Sequence, residues 1–91
     1  MNAQEVKKLL LQQMENYLSG KVSKEDYAMI AEEFYTNYGN CIAGTEFGKI
    51  FSKKIPNCCI TNVDEPGNED EKERDFQKIM KDTYEKLVHL I

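Results

Sequence analysis

The sequence predicts an all-α protein, an antiparallel four-helix bundle with a short third helix and an acidic loop before the last helix. Three observations support this prediction. Four segments carry apolar residues at helical spacing, the links between most of them are short, and the one segment with strand character has no second strand to pair with. With 91 residues, the chain is expected to form one domain, residues 1–91.

The first predicted helix extends from Ala3 to Leu18. Its apolar residues recur every three or four positions, which places them along one face of a helix. Ser19 and Gly20 follow directly, and glycine suits the left-handed residue that closes a helix. The residues of this face are Val6, Leu10, Met14 and Tyr17, with Leu9 and Leu18 at its edges.

The second predicted helix begins after Ser23, whose hydroxyl can cap the free amides of the first turn, and Asp26 lies at the capping-box position. Gly39 and Asn40 end this helix. The link from Gly20 to Ser23 is short, so the first two helices are expected to pack antiparallel. The predicted core-facing residues are Tyr27, Ile30, Ala31, Phe34 and Tyr38.

The third predicted helix is short, from Thr45 to Lys54, because Pro56 disfavours helical geometry at the residue before it. Gly48 lowers its helix propensity further. The segment Asn57–Gly67 is expected to be an irregular connection that ends in a tight turn. The apolar residues of this helix are Phe47, Ile50, Phe51 and Ile55.

The last predicted helix starts after Asn68, which can cap it, and Glu71 lies at the capping-box position. This helix continues nearly to Ile91 and would therefore be about 20 residues long. Its apolar face consists of Phe76, Ile79, Met80, Tyr84, Leu87 and Val88.

Charge and hydropathy exclude several classes of partner. The formal net charge is −4, whereas proteins that bind phosphate backbones cluster lysine and arginine, so no direct contact with nucleic acid is expected. No stretch approaches the roughly 20 apolar residues that span a bilayer, so no membrane contact is expected. The apolar run at Leu9–Leu11 is too short for a signal peptide, and we therefore expect a cytoplasmic protein.

The sequence contains no pattern typical of an enzyme, a metal site or a cofactor site. Three cysteines, Cys41, Cys58 and Cys59, fit reduced thiols better than a disulfide framework. A zinc site would need His89 as fourth ligand, but the spacing contains no Cys-x-x-Cys pair. No glycine-rich phosphate loop and no nucleophile beside a base is present. We predict no catalytic residue, and an enzyme would have to lose its activity on changing His89 or a cysteine.

Acidic residues are concentrated in two segments. Residues 64–75 contain seven acidic and two basic residues, and residues 24–33 contain four acidic residues and one basic residue. Carboxylates in a first helical turn favour the positive end of the helix dipole, which accounts for Glu69, Asp70 and Glu71 as solvated side chains. Asp64 and Glu65 precede that helix, so the other interpretation, an electrostatic face for a basic partner, stays open.

One stretch carries a family pattern. Leu18-Ser19-Gly20-Lys21-Val22-Ser23 has the form L-x-G-K-[IV]-[ST], follows a helix that contains Leu9-Leu10-Leu11, and precedes the acidic helix start Lys24-Glu25-Asp26-Tyr27. An aromatic second helix, a short third helix, an acidic loop and a last helix with Phe76, Ile79, Tyr84 and Leu87 complete the outline. Over nearly the whole chain, this arrangement resembles the small immunity proteins of the colicin D type and of contact-dependent growth inhibition systems.

The resemblance implies a cytoplasmic immunity protein that binds one bacteriocin-like toxin domain, often a tRNA-cleaving ribonuclease, and covers its active site with acidic side chains. The partner would then be a basic nuclease domain, bound by a monomer in a 1:1 complex. The region that matches the acidic loop of the family is 64–70. The predicted partner-binding residues are Asp64, Glu65, Glu69, Asp70 and Glu71, with Glu32 and Glu33 as a second contact and Tyr35 as an aromatic anchor.

The alternative function is a self-associating helical adaptor or regulatory protein without a toxin partner. Such a protein would use an apolar surface at Leu11, Leu18 and Ile91 and would form a dimer that is insensitive to salt. For the interface with the toxin, the aromatic residues Tyr38 and Phe47 are further anchor candidates beside Tyr35, although Phe47 is expected to be a core residue.

Overall fold

The computed structural model describes residues 1–91 and confirms an all-α bundle without strands. Three of its four helices begin and end where the sequence predicts. A 3-10 turn (Gly39–Ile42) follows the second helix, a π-helical turn (Ile60–Asp64) follows the third, and a 3-10 turn (Val88–Leu90) follows the fourth. The helices are α1 (Ala3–Leu18), α2 (Lys24–Tyr38), α3 (Glu46–Cys59) and α4 (Glu69–Leu87).

Every helix starts at a side-chain cap, which explains why these bounds could be predicted. Each capping oxygen accepts a hydrogen bond from the backbone amide three residues further on, which satisfies one of the free donors of the first turn. Only the first cap is reciprocal, because Glu5 also accepts from the Asn2 amide. The capping pairs are Asn2–Glu5, Ser23–Asp26, Thr45–Gly48 and Asn68–Glu71.

The predicted end of the third helix is wrong. The helix continues through Pro56 to Cys59, and its last residues together with the π-helical turn replace most of the expected irregular connection. Pro56 lacks the amide that would bond the carbonyl of Ser52, but both residues are exposed, so water can satisfy that carbonyl. Ile55 and Cys58 are buried on the other face, and their packing holds the helix together across the proline.

The core joins all four helices through two groups of aromatic rings. Tyr17, Tyr27 and Phe76 bring α1, α2 and α4 together, with ring centroids 5.0 to 6.1 Å apart. Phe51 of α3 stacks on Tyr35 of α2 at 5.5 Å. Around them lie the buried apolar residues Val6, Leu10, Leu11, Met14, Ala31, Ile42, Phe47, Ile55, Met80 and Leu87.

Contacts between the elements place the π-helical turn at the centre of one side of the bundle. α1 packs against α2 and α4, and α3 packs against α4. The π-helical turn contacts α2 as well as α3 and α4. It therefore brings the beginning of the acidic loop next to the second acidic segment of the chain.

Candidate protein-binding surface

The outer face of α2 combines carboxylates with exposed apolar side chains. Tyr27 and Ala31 turn inward, so residues about 100° away from them on the helix face solvent. Met29 is 62% exposed and Ile30 is 41% exposed, and both belong to the six large apolar side chains that are exposed on this protein. The exposed residues of this face are Glu25, Asp26, Met29, Ile30, Glu32 and Glu33.

The exposure of Ile30 corrects the prediction that it faces the core. Met29 and Ile30 are neighbours in sequence and therefore point about 100° apart on a helix. The inner sector is already filled by the large ring of Tyr27 and by Phe34, so Ile30 lies at its border. Adjacency did not predict this outcome, since the adjacent Leu10 and Leu11 of α1 are both buried.

Two shallow grooves flank the outer face of α2. The groove on the α1 side, of about 280 Å³, is lined by Glu33, Ile30 and Phe34 of α2 and by Gln13 of α1. The groove on the α3 side is smaller, about 50 Å³, and is lined by Glu32 and Tyr35 together with residues of α3. Apolar side chains and carboxylates thus alternate around the solvent-exposed side of α2.

Tyr35 is only partly available as an anchor. Its ring stacks on Phe51 of α3, and its edge approaches Gly39 so closely that a Cβ there would lie 3.0 Å from the ring. The absent side chain at Gly39 therefore lets Tyr35 lie flat against the bundle. The half-buried ring contributes one wall of the α3-side groove.

The π-helical turn brings Asp64 to the same side of the molecule as Glu32. The pKa of the Cys59 thiol is lowered, chiefly by the neighbouring thiol of Cys58, while burial and the charges of Asp64 and Glu32 oppose this effect. The π-helical turn also contacts α2. The start of the acidic loop and α2, separate in sequence, are therefore neighbours in the structure.

A nearly buried lysine connects this face to the start of α4. Lys24, whose side chain is 3% exposed, places its ammonium group 2.6 Å from Glu25, 3.0 Å from Glu69 and 3.7 Å from Glu73. Hydrogen bonds to Glu25 and then to Glu69 raise the pKa of Lys24 above its usual range, against the effect of burial. The same bonds lower the pKa of Glu25 and Glu69. Three carboxylates around one cation keep the cluster net negative.

The acidic loop itself is held by Lys72. Its ammonium group donates to the backbone carbonyl of Glu65 at 2.7 Å and to the carboxylate of Glu69 at 3.3 Å. The aliphatic part of its side chain packs below Gly67, where a Cβ would meet it at 3.4 Å. Because the backbone of Glu65 is fixed in this way, its side chain stays exposed.

The predicted binding residues therefore fall into three groups. Glu32 and Tyr35 line the α3-side groove together with Cys59, Glu33 lines the α1-side groove, and Glu69 is tied to Lys24. Asp64 ends the π-helical turn next to the exposed Glu65. Asp70 and Glu71 are exposed in the first turn of α4 beside Glu69. We call the combined region the acidic surface, consisting of Glu25, Asp26, Glu32, Glu33, Asp64, Glu65, Glu69, Asp70 and Glu71. The sequence did not indicate that Met29 and Ile30 lie within it.

The cysteines and the histidine are not arranged together as ligands of a metal site. The thiol of Cys41 donates to the carbonyl of Met1 at 3.4 Å, and that of Cys58 donates to the carbonyl of Ile55 at 3.2 Å. His89 is exposed in the 3-10 turn after α4. No three side chains among His, Cys, Asp and Glu are arranged to hold a metal ion.

The apolar surface predicted for the adaptor function is wrong in part. Leu11 is 4% exposed and belongs to the core, because the inner face of α1 is wide enough to include it. Leu18 is half-buried, and only Ile91 is exposed. Phe47 is buried as expected, and Tyr38 packs half-buried against Phe34.

Comparison with known proteins adds no relative to these observations. The chain matches no family model, no curated protein and no solved structure. None of its helices is both long and apolar enough to cross a membrane.

Proposed function

We propose that this protein is an immunity protein that binds a cognate bacterial nuclease toxin and covers the active site of that toxin with the acidic surface. The observation that carries the proposal is the outer face of α2, where the exposed side chains of Met29 and Ile30 alternate with the carboxylates of Glu32 and Glu33. The resemblance to colicin D-type immunity proteins supplies the class of partner, and a tRNA-cleaving ribonuclease is the expected toxin activity.

Charge complementarity supports a nuclease partner. A nuclease must present lysine and arginine where it holds the phosphates of its substrate. Carboxylates at the end of the π-helical turn, along α2 and at the start of α4 offer the opposite charge over a common face. Such a face accelerates association with a basic cleft and disfavours acidic partners.

Apolar side chains within the acidic surface support a stable complex, because charge alone contributes more to association rate than to affinity. Stable interfaces typically have a desolvated centre with a polar rim. Met29 and Ile30 are suited to that centre, and the α1-side groove beside Ile30 can accept a side chain of the partner. An interface of about 800 Å² on each partner is usual, and the total accessible surface of 5581 Å² accommodates it.

The test is a pull-down of the partner from the source cell, followed by titration calorimetry of that partner at two salt concentrations. We expect a 1:1 complex that weakens as salt increases. The double substitution Glu32→Lys with Glu33→Lys should weaken binding by at least about a hundredfold, as expected when close charge pairs across an interface are reversed. Glu85→Lys, also exposed but outside the acidic surface, is the matched control and should bind normally.

A second pair of substitutions tests the apolar centre. Met29→Ala with Ile30→Ala should weaken the complex and leave its salt dependence unchanged, because no charge is removed. The exposed Met29 and Ile30 also favour self-association, the adaptor alternative. Sedimentation equilibrium separates the two functions: a salt-insensitive dimer that these substitutions dissociate would support the adaptor and contradict the immunity function.

A further inference from the structure

A polar, basic cleft of about 430 Å³ lies between α3 and α4, and no residue of α2 lines it. Its volume is in the range of small-molecule sites. Three lysines and one carboxylate, Asp82, contribute the charged groups of its wall. The polar lining of the cleft includes Lys53, Lys54, Asn57, Asn62, Thr83 and Lys86.

The three lysines of the cleft have no acidic partner. Lys53, Lys54 and Lys86 lie at the cleft, and no carboxylate oxygen comes within 4.0 Å of their ammonium groups. They share this with most of the 12 lysines and arginines of the chain, since only Lys24 and Lys72 lie within 4.0 Å of a carboxylate. With three lysines and one aspartate, the cleft has a net positive charge on an otherwise acidic molecule.

Two buried polar side chains line the wall of the same cleft. Thr83 is only 3% exposed, and its hydroxyl makes no hydrogen bond within the protein, whereas Thr36 uses its hydroxyl to bond the carbonyl of Glu32. Asn62 is 5% exposed and donates to the carbonyl of Cys58 at 3.2 Å, which fixes its carboxamide at the cleft wall. Since Thr83 contributes to the cleft wall and its hydroxyl has no partner within the protein, that hydroxyl is open to a hydrogen bond with water or with a ligand in the cleft.

The π-helical turn accounts for the position of Asn62. Its extra residue per turn shifts Thr61 and Asn62 relative to a regular continuation of α3 and places both at the cleft. Single π-helical turns of this kind occur frequently at functional sites, because they are less stable than α-helix and persist where they position a side chain.

We propose that this cleft binds a small molecule that carries a phosphate group. The lysine ammonium groups would neutralise the phosphate, the Thr83 hydroxyl would donate to one of its oxygens, and the amides of Asn57 and Asn62 would contact the remainder of the ligand. A dianionic group fits a wall with three cations and one carboxylate. The site is independent of the acidic surface, so the two proposals can fail separately.

The experiment is a titration of the full chain, followed by ¹H–¹⁵N NMR at constant ionic strength, with inorganic phosphate, with ribose 5-phosphate and with ribose. We expect saturable shifts at the cleft residues with both phosphates and none with ribose. Tighter binding of ribose 5-phosphate than of inorganic phosphate would identify a phosphate ester as the ligand, and equal binding would identify the free anion. Absence of saturable shifts with both phosphates would overturn the proposal.

Three variants distinguish a built site from nonspecific charge. Thr83→Val removes the hydroxyl without changing the shape of the side chain and should weaken phosphate binding about tenfold, while Thr83→Ser should restore it. Lys86→Gln should weaken binding, whereas Lys8→Gln, an exposed lysine on α1, should not. Far-ultraviolet circular dichroism checks that each variant is folded. Equal effects of Lys86→Gln and Lys8→Gln, or no effect of Thr83→Val, would contradict a specific site.

Discussion

The ammonium group of Lys24 lies 3.0 Å from the carboxylate of Glu69, 45 residues further along the chain. Lys24 is the first residue of α2 and Glu69 is the first residue of α4, so this ion pair fixes the beginnings of the two acidic helices against each other. Glu73, one turn further along α4, also accepts a hydrogen bond from Tyr17 of α1. The acidic surface is thus anchored to three helices.

Replacement of this lysine should destabilise the fold. In Lys24→Met, the carboxylates of Glu25, Glu69 and Glu73 would remain close together without their cation. The three carboxylates are largely exposed to water, which screens their attraction to the ammonium group, so the free energy of unfolding should fall by about 1 kcal/mol. Urea denaturation followed by circular dichroism measures this change. The control Lys21→Met, at an exposed residue, should leave the midpoint unchanged, and an equal effect of both substitutions would exclude a structural role of the cluster.

Stability should decrease at acid pH because of the same cluster. The pKa values of Glu25 and Glu69 are lowered in the folded state, chiefly by hydrogen bonds from Lys24. The unfolded chain therefore binds protons more readily near the normal glutamate pKa of about 4.3. The stabilisation is present above that pH and is lost as the pH falls through the lower folded-state pKa. Thermal unfolding between pH 7 and 2 measures the decrease in stability, which should be shallower in Lys24→Met than in the wild type. Parallel pH profiles of the two proteins would show that the decrease does not arise from the cluster around Lys24.

Two buried tyrosines should respond in opposite directions to the loss of their hydroxyl groups. Tyr17 donates a hydrogen bond to Glu73, so Tyr17→Phe should lower the free energy of unfolding by about 1 kcal/mol. The hydroxyl of Tyr27 is buried without a partner, and burial raises its pKa well above the normal value. Tyr27→Phe removes this unsatisfied group and should stabilise the protein by about 1 kcal/mol. Chemical denaturation of both variants tests the contrast, and destabilisation by Tyr27→Phe would mean that the hydroxyl is paired in solution.

Gly48 should not tolerate a side chain. A Cβ at this position would lie 2.1 Å from the carbonyl oxygen of Ile42, and that oxygen already accepts hydrogen bonds from the amide and hydroxyl of Thr45. Since backbone must move, Gly48→Ala should destabilise the protein by about 3 kcal/mol, although alanine is the better helix former. Thermal unfolding compares it with Lys49→Ala at the exposed neighbouring residue. A Gly48→Ala variant as stable as Lys49→Ala would contradict the prediction and show that the backbone of the 3-10 turn moves at little cost in free energy.

Local signals were sufficient to predict three of the four helices. The caps at Ser23 and Asn68 and the glycine after α1 act over one turn, and tertiary packing agrees with them. The end of α3 could not be predicted in the same way. The effect of Pro56 is also local, but the burial of Cys58 and Asn62 outweighs it, and burial depends on contacts with α2 and α4.

The acidic surface could be predicted only in parts. Sequence showed two acidic segments, but their common face depends on the π-helical turn, which no local pattern indicated. The burial of Lys24 was also missed, because Glu69 and Glu73 reach it only through folding. The exposure of Met29, by contrast, could be predicted, because it follows from helical geometry once Tyr27 and Ala31 are assigned to the core.

Inhibition of the toxin tests the immunity function most directly. The measurement is cleavage of tRNA by the basic partner recovered in the pull-down, at increasing molar ratios of the wild-type protein and of the Glu32→Lys, Glu33→Lys double variant. Complete inhibition at one equivalent of wild-type protein, lost in the double variant and retained in Glu85→Lys, is the expected result. Undiminished cleavage in the presence of excess wild-type protein, or equal inhibition by wild type and the double variant, would contradict an active site covered by the acidic surface.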